Sequence, residues 1–249
     1  VCVNKMDKEH ADFDKCVAEA QRILGKSVMP LMLPVGHGQD FKGVVNILKK
    51  KAYIYADSSG KFNEEEVPED LAGKVDEWRQ KLQDFAAETE DSLLEKFLET
   101  GELSDEELVE GLSAGCRQGT LVPLAVTSAL KNIGVRQLVD MAVEMLPSPA
   151  HRSEMEVISL ATGERETIDT AKDSPTVAFV FKTFSEKNVG DLSYTKVFSG
   201  EISSADDLFN SNAETGERIG QLFIMQGKKK IDADSITTGD IGAAVKLKS

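Results

Sequence analysis

Apolar residues recur along the first part of the chain with helical spacing. Phe13, Val17, Ala20 and Leu24 stand at i, i+4, i+7 and i+11, one stripe of a 3.6-residue period, and Gly25 is placed to end the helix they predict. Leu71, Val75, Trp78, Leu82 and Phe85 form a second stripe, with Pro68 near its first turn. Leu93, Leu94, Phe97 and Leu98 form a third that stops at Gly101. Ser104 and Glu107 spell a capping box that opens a fourth helix. Val135, Leu138, Ala142 and Met145 line a fifth, terminated by Pro147 and Pro149. Solid apolar runs at 1–3, 28–35 and 121–127 read as buried strands, the second broken by Pro30 and Pro34. Residues 36–38 and 57–60 read as turns, and 41–55 carries no clean period.

Beyond residue 150 the helical stripes vanish. Short β-rich runs at 157–160, 176–184, 192–198, 222–225 and 242–247 are separated by turns rich in Gly, Asn, Asp and Ser. That pattern predicts a small β-barrel after an α/β portion.

Composition narrows the class. With 249 residues, 41% hydrophobic and 29% charged, the chain reads as globular rather than collagenous, disordered or disulfide-stapled. No window approaches the unbroken apolar length of a membrane-spanning helix, and 1–5 does not read as a signal peptide. The chain opens with Val inside an apparent strand, so an interior piece of a longer protein is expected. Cys2, Cys16 and Cys116 form no C-x-x-C pair, which argues against a disulfide framework or zinc knuckle and for a reducing cytoplasm. His10, His37 and His151 lie in loop-like contexts without ligand spacing, so surface histidines are expected and no metal site is assigned.

The net charge is −14, so a basic nucleic-acid coat is excluded and any RNA contact needs a local patch. The imbalance is concentrated: 61–110 holds 18 acidic and 5 basic residues, whereas 174–249 holds 10 and 9. At least two distinct units are expected. Lys228, Lys229 and Lys230 lie in a turn-like stretch and could meet RNA phosphates, whereas Lys49, Lys50 and Lys51 read as a solvated face.

One motif carries chemistry. Asn4-Lys5-Met6-Asp7 follows a strand and precedes a helix, the strand end at which open α/β sheets bind ligands. An ionised Asp7 accepts only, and its two oxygens match the paired N–H donors on the edge of guanine. Adenine lacks that pair, and leaving a buried acceptor unpaired can cost ~4 orders of magnitude in discrimination. Asn4 can both reach a ring nitrogen and tie loops together, and the methylenes of Lys5 can lie along the base. The plain alternative is that Asp7 caps the next helix. Ser128, Ala129 and Leu130 also sit between a buried strand and a helix, and their backbone N–H groups can approach a base carbonyl. Two such turns at strand ends favour guanine. Residues 20–27 loosely fit a phosphate loop, but Gly25-Lys26-Ser27 closes a helix, where the dipole is negative, so the match is read as coincidence.

With these residues in view, the chain resembles the elongation factor G family of translational GTPases. Asn4-Lys5-Met6-Asp7 matches the family's guanine-specificity motif, and Ser128-Ala129-Leu130-Lys131-Asn132, with Gly134-Val135 and Leu146-Pro147-Ser148-Pro149, matches its second base loop and the helix leaving the G domain. Phe41-Lys42-Gly43-Val44 and Val67-Pro68-Glu69-Asp70-Leu71 resemble the subdomain inserted between those loops. Phe181-Lys182-Thr183, Val189-Gly190-Asp191-Leu192-Ser193, Val197-Phe198-Ser199-Gly200 and Thr238-Gly239-Asp240-Ile241-Gly242-Ala243 resemble the translation-factor barrel. Met225-Gln226-Gly227-Lys228-Lys229-Lys230 is closer to the elongation-factor-G-like branch.

The resemblance implies a fold class of α/β plus all-β. Residues 1–36 and 116–150 would form the C-terminal part of a P-loop-type G domain, 37–115 an inserted acidic helical α+β subdomain, and 151–249 a β-barrel. It implies that Asn4 and Asp7 bind the guanine of GTP or GDP, that Lys5 packs on the base, and that Ser128, Ala129 and Leu130 offer backbone donors. It implies a ribosome partner through ribosomal RNA and the stalk protein, with neither DNA nor membrane. The phosphate loop, Mg2+ ligands and catalytic switch histidine would precede Val1, so no catalytic residue is assigned here, and tight GDP binding by this chain alone is not expected. Two function classes follow: a hydrolysing ribosomal switch, or a paralogue that docks on ribosomes without turnover.

Overall fold

A computed structural model describes residues 1–25, 27–186, 190–245 and 247. The chain divides into two compact units, Val1–Pro147 and Ser148–Ser249.

The first unit begins with β1 (Cys2–Val3) and α1 (Phe13–Leu24). Asp12 caps α1 by accepting the Lys15 N–H at 3.0 Å, and Gly25 ends it at φ 100° with its N–H on Gln21 O. Next come β2 (Val28–Pro30), β3 (Met32–Val35), β4 (Gly43–Asn46), β5 (Lys51–Tyr55) and β6 (Phe62–Glu66). Three helices follow: α2 (Glu69–Ala87), α3 (Asp91–Thr100) and α4 (Asp105–Gln118). Then β7 (Val122–Val126) and α5 (Val135–Met145) complete the unit.

Its strands form two sheets. One has the order β1-β7-β2 with both pairings parallel, and the other is the antiparallel meander β3-β4-β5-β6. One apolar core runs through both: Val28, Leu31 and Leu124 share it with Phe41, Val45, Leu82, Leu108 and Leu112. Each such fully buried side chain contributes about 1.5–3 kcal/mol relative to an exposed one.

The local signals act as read. The Ser104 hydroxyl accepts the Glu107 N–H while Glu107 Oε2 accepts the Ser104 N–H, and Gly101 ends α3 in the left-handed region. Close approach of α2 and α4 depends on Gly111, where a Cβ would lie 2.8 Å from Ala86 Cβ. Residues 41–55 resolve into β4 and β5. Both are largely covered, and burial on both faces removes the period-2 alternation that marks a half-exposed strand. The edge strand β6, Phe-Asn-Glu-Glu-Glu, escaped the pattern because only its first residue turns inward. Its charges suit an edge, and Lys51 meets its cross-strand partner Glu66 at 2.5 Å.

The second unit is all-β. Its strands are β8 (Glu154–Ile158), β9 (Arg165–Asp169), β10 (Val177–Glu186), β11 (Gly190–Ser199), β12 (Glu201–Ser203) and β13 (Asp207–Asn210). They continue with β14 (Thr215–Arg218), β15 (Leu222–Gln226), β16 (Lys229–Ala233), β17 (Ser235–Thr237) and β18 (Ile241–Val245). Five form the antiparallel sheet β10-β11-β18-β15-β16, and β8-β9, β12-β17 and β13-β14 pair as ribbons. Val197, Ile202, Ile219, Leu222, Ile236 and Ala244 form its main apolar cluster.

The structure corrects the reading of the lysine triplet. Gly227 and Lys228 alone form the turn between β15 and β16; Lys229 and Lys230 already pair with Gln226 and Met225. A two-residue hairpin loop leaves no room for a longer turn.

Candidate functional site

β1 and β7 are parallel neighbours in register, with Val3 opposite Val126, so both strands release their chain at the same sheet edge. The Thr127 N–H donates to Val3 O at 2.9 Å and the Met6 N–H to Thr127 O at 3.3 Å, which continues the pairing past the strand ends. Met6 is 1% exposed and anchors the first turn from below. Lys5 adopts φ 67°, the left-handed region that non-glycine residues occupy only when their surroundings hold them.

Asn4 ties the turns together. Its Oδ1 accepts the Lys5 N–H at 2.7 Å, the Ala129 N–H at 3.0 Å and the Thr127 hydroxyl at 3.4 Å. Backbone N–H groups only donate, so this atom is the amide oxygen and Nδ2 is left as a donor directed elsewhere. Asp7 makes the second link: its Oδ1 accepts from the Ser128 hydroxyl at 2.7 Å. Ser128 is fully buried, and its oxygen in turn accepts the Lys131 N–H at 3.2 Å. That hydroxyl is the main reason the Asp7 carboxyl is held below the ordinary aspartate range, with smaller help from its own backbone N–H and from Lys8 and Lys131. Asp7 is therefore ionised at neutral pH, and its second oxygen remains an acceptor.

All six sequence-predicted site residues gather on these two turns; Asn4 ties them together as read, whereas Ser128 and Ala129 take other tasks. The Ser128 N–H, expected to face a ligand, donates to Ile133 O at 3.0 Å, and its hydroxyl serves Asp7 instead. The Ala129 N–H is engaged by Asn4. Leu130 is 77% exposed, and Lys5 and Ala129 are exposed as well. Sequence reasoning missed Thr127, 2% exposed, which contacts Asn4 and lies 3.3 Å from Cys2 Sγ. A hydroxyl at the end of an otherwise apolar strand run was the available signal. An acceptor-only carboxylate beside an amide donor suits a planar ring that presents adjacent N–H donors on one edge and an acceptor on another. The flanking Lys5 methylenes and Leu130 suit the faces of such a ring.

The remaining candidates stay outside this constellation. Gly25 closes a helix, the end at which the dipole is negative, and Lys26 lies outside the described residues. His10, His37 and His151 are exposed, and among the described residues no group of three or more His, Cys, Asp or Glu is placed to hold a metal. Lys49, Lys50 and Lys51 pair with Glu144, Asp76 and Glu66 on the surface. No described helix is long and apolar enough to cross a membrane.

Residues 1–148 match the family model of the elongation factor Tu GTP-binding domain, and residues 175–249 match that of elongation factor G domain 2. The chain belongs to the elongation-factor-G-like translational GTPases. It is 36% identical over 248 residues to a protein named elongation factor G 2 from Syntrophomonas wolfei, aligned over 99% of this chain and 36% of that relative. A crystal structure from Thermus thermophilus superimposes on all of this chain and 34% of its own, with a TM-score of 0.80 and 28% identity. The chain thus spans about a third of the length of these relatives. For this member of the family the fold class is the expected one, an α/β G-domain portion followed by a β-rich second domain.

Proposed function

We propose that Asn4, Lys5, Asp7 and the Ser128-Ala129-Leu130 turn recognise the guanine base of GTP and GDP. The parent polypeptide then acts as a cytoplasmic elongation factor that hydrolyses GTP to drive a ribosomal step such as translocation. The observation that carries this reading is the joint anchoring of an ionised Asp7 by Ser128 and of Asn4 by Ala129. It orients one carboxylate acceptor and one amide donor on the first turn through contacts with the second, a segment that meets it only in the folded state. Mg2+, when bound with the nucleotide, would neutralise phosphate charge; none of this chain's residues is assigned to it, and none is assigned to hydrolysis. Ribosomal RNA is proposed as a partner of the β15–β16 hairpin, whose tip carries Lys228, and the stalk protein as a partner of the acidic stretch 64–110.

The test is a titration of the chain with GMP and, separately, AMP, followed through the amide resonances of Ala129 and Leu130. GMP-selective shifts that vanish in Asp7→Ala support the reading. Equal responses to both nucleotides, or none at millimolar concentration, overturn it.

A further inference from the structure

The Ser128-Ala129-Leu130 turn has little apolar anchoring of its own, since Ala129 and Leu130 are exposed. Its position must be set from outside. Asn4 holds one side. The other side rests on the β5–β6 hairpin, which the base reading leaves without a task.

Three contacts make that support. At the hairpin tip Gly60 sits at φ 80°, and a Cβ built on it would lie 2.4 Å from Asn132 Nδ2 and 3.2 Å from its Cγ. Along the hairpin, the Tyr55 hydroxyl donates to Gln137 Oε1 at 2.5 Å, with both residues buried. The Phe62 ring lies 5.6 Å from the Arg136 guanidinium carbon. The hairpin therefore grips residues 132, 136 and 137, while residues 128–131 span the interval to Asn4. Asn132 also closes the turn: at φ 54° its N–H donates to Ala129 O at 3.3 Å. A shift of the Asn132 backbone is thus passed to the Ala129 carbonyl that its N–H holds.

We propose that Gly60 and Asn132 form a latch through which the β5–β6 hairpin positions the Ser128-Ala129-Leu130 turn for the base. Both are positioning residues; neither touches the ligand. The inference rests on the guanine reading above. Glycine at 60 serves two ends, a left-handed backbone and an empty Cβ position against Asn132. Displacements near 1 Å at a recognition site can cost about a hundredfold in function, and close-packed contacts pass such shifts on rather than absorb them.

A double-mutant cycle in the chain tests it, with GMP affinity and the Ala129 and Leu130 amide shifts as readouts. Gly60→Ala is expected to weaken GMP about tenfold and to shift both amides, because its methyl displaces the Asn132 side chain at the base of the turn. Asn132→Gly keeps the positive φ and removes the obstructing side chain. Alone it should cost about threefold, and added to Gly60→Ala it should return affinity to the level of Asn132→Gly alone, the non-additivity expected of residues in contact. Thermal unfolding runs in parallel, because the strain of alanine at φ 80° persists in the double variant while recognition recovers. Tyr55→Phe is the second probe should Gly60→Ala fail to fold: it should move the same two amides and weaken GMP several-fold. Multiplicative effects in the cycle, or GMP affinity unchanged by Gly60→Ala or by Tyr55→Phe, overturn the latch. Failure of the guanine reading shows separately, as wild-type shifts that do not distinguish GMP from AMP or that survive Asp7→Ala.

Discussion

Asn4 and Ala129 stand 125 residues apart in sequence and are joined by one hydrogen bond, 3.0 Å from the Ala129 N–H to Asn4 Oδ1. The same oxygen holds the Lys5 N–H, so removing it frees two exposed backbone donors to water. Asn4→Ala should lower unfolding free energy by about 0.5–1.5 kcal/mol in urea titrations and abolish GMP-selective shifts at Ala129. Retention of those shifts would show that the turns are held by other means.

The Asp7–Ser128 hydrogen bond makes a prediction about pH. The carboxyl is held below its ordinary range chiefly by the Ser128 hydroxyl. A depressed folded-state value means that the unfolded chain takes up the proton first as pH falls. The bond therefore contributes stability at neutral pH, and that contribution declines below the ordinary aspartate range until it is gone as pH passes through the folded-state value. Carboxyl-carbon resonances should report Asp7 titrating at lower pH than a free aspartate. Ser128→Ala should raise that midpoint and flatten the acid limb of stability against pH; an unmoved midpoint would reassign the shift to the Asp7 backbone N–H, Lys8 and Lys131.

Asp7→Asn replaces an acceptor with an amide that presents a donor at one of its two positions. GMP binding should fall by about a hundredfold or more, since one base N–H then meets another donor. Fold stability should change little if the oxygen of the new amide accepts the Ser128 hydroxyl in place of the carboxylate, which circular dichroism melting can check.

Two helix features make stability predictions free of any ligand. Ser104→Ala removes half of the capping box and should cost about 1 kcal/mol in chemical denaturation. Gly111→Ala forces a methyl against Ala86 and should cost about 1–3 kcal/mol by overpacking the α2–α4 interface. A neutral Gly111→Ala would mean that the helices separate without penalty.

Lys228 at the hairpin tip and Lys229 beside it are exposed. Reversing both charges should weaken association with purified ribosomes. The slope of log affinity against log salt should fall by about one for each phosphate that is no longer neutralised. An unchanged slope would remove this hairpin from the interface.

What was legible in the residues was what neighbours within a few positions decide. The Phe13–Leu24 stripe, the Ser104–Glu107 box, the Gly25 and Gly101 stops and the polar turns after apolar strands all act over one or two helical turns, so their outcome is written locally. Even the candidate base residues could be named, because Asn4-Lys5-Met6-Asp7 and Ser128-Ala129-Leu130 each lie at a strand end. The tying role of Asn4 could be read as well, but the tasks of Ser128 and Ala129 could not. The Ser128 hydroxyl turns to Asp7 and its N–H to Ile133 because β1 and β7 pair in one register, and that register is set by core burial across the whole first unit. Strands β4 and β5 show no alternation, and Gly60 came to rest on Asn132, for the same reason. Contacts between distant segments are chosen by packing, which selects one arrangement from many that local preference would allow.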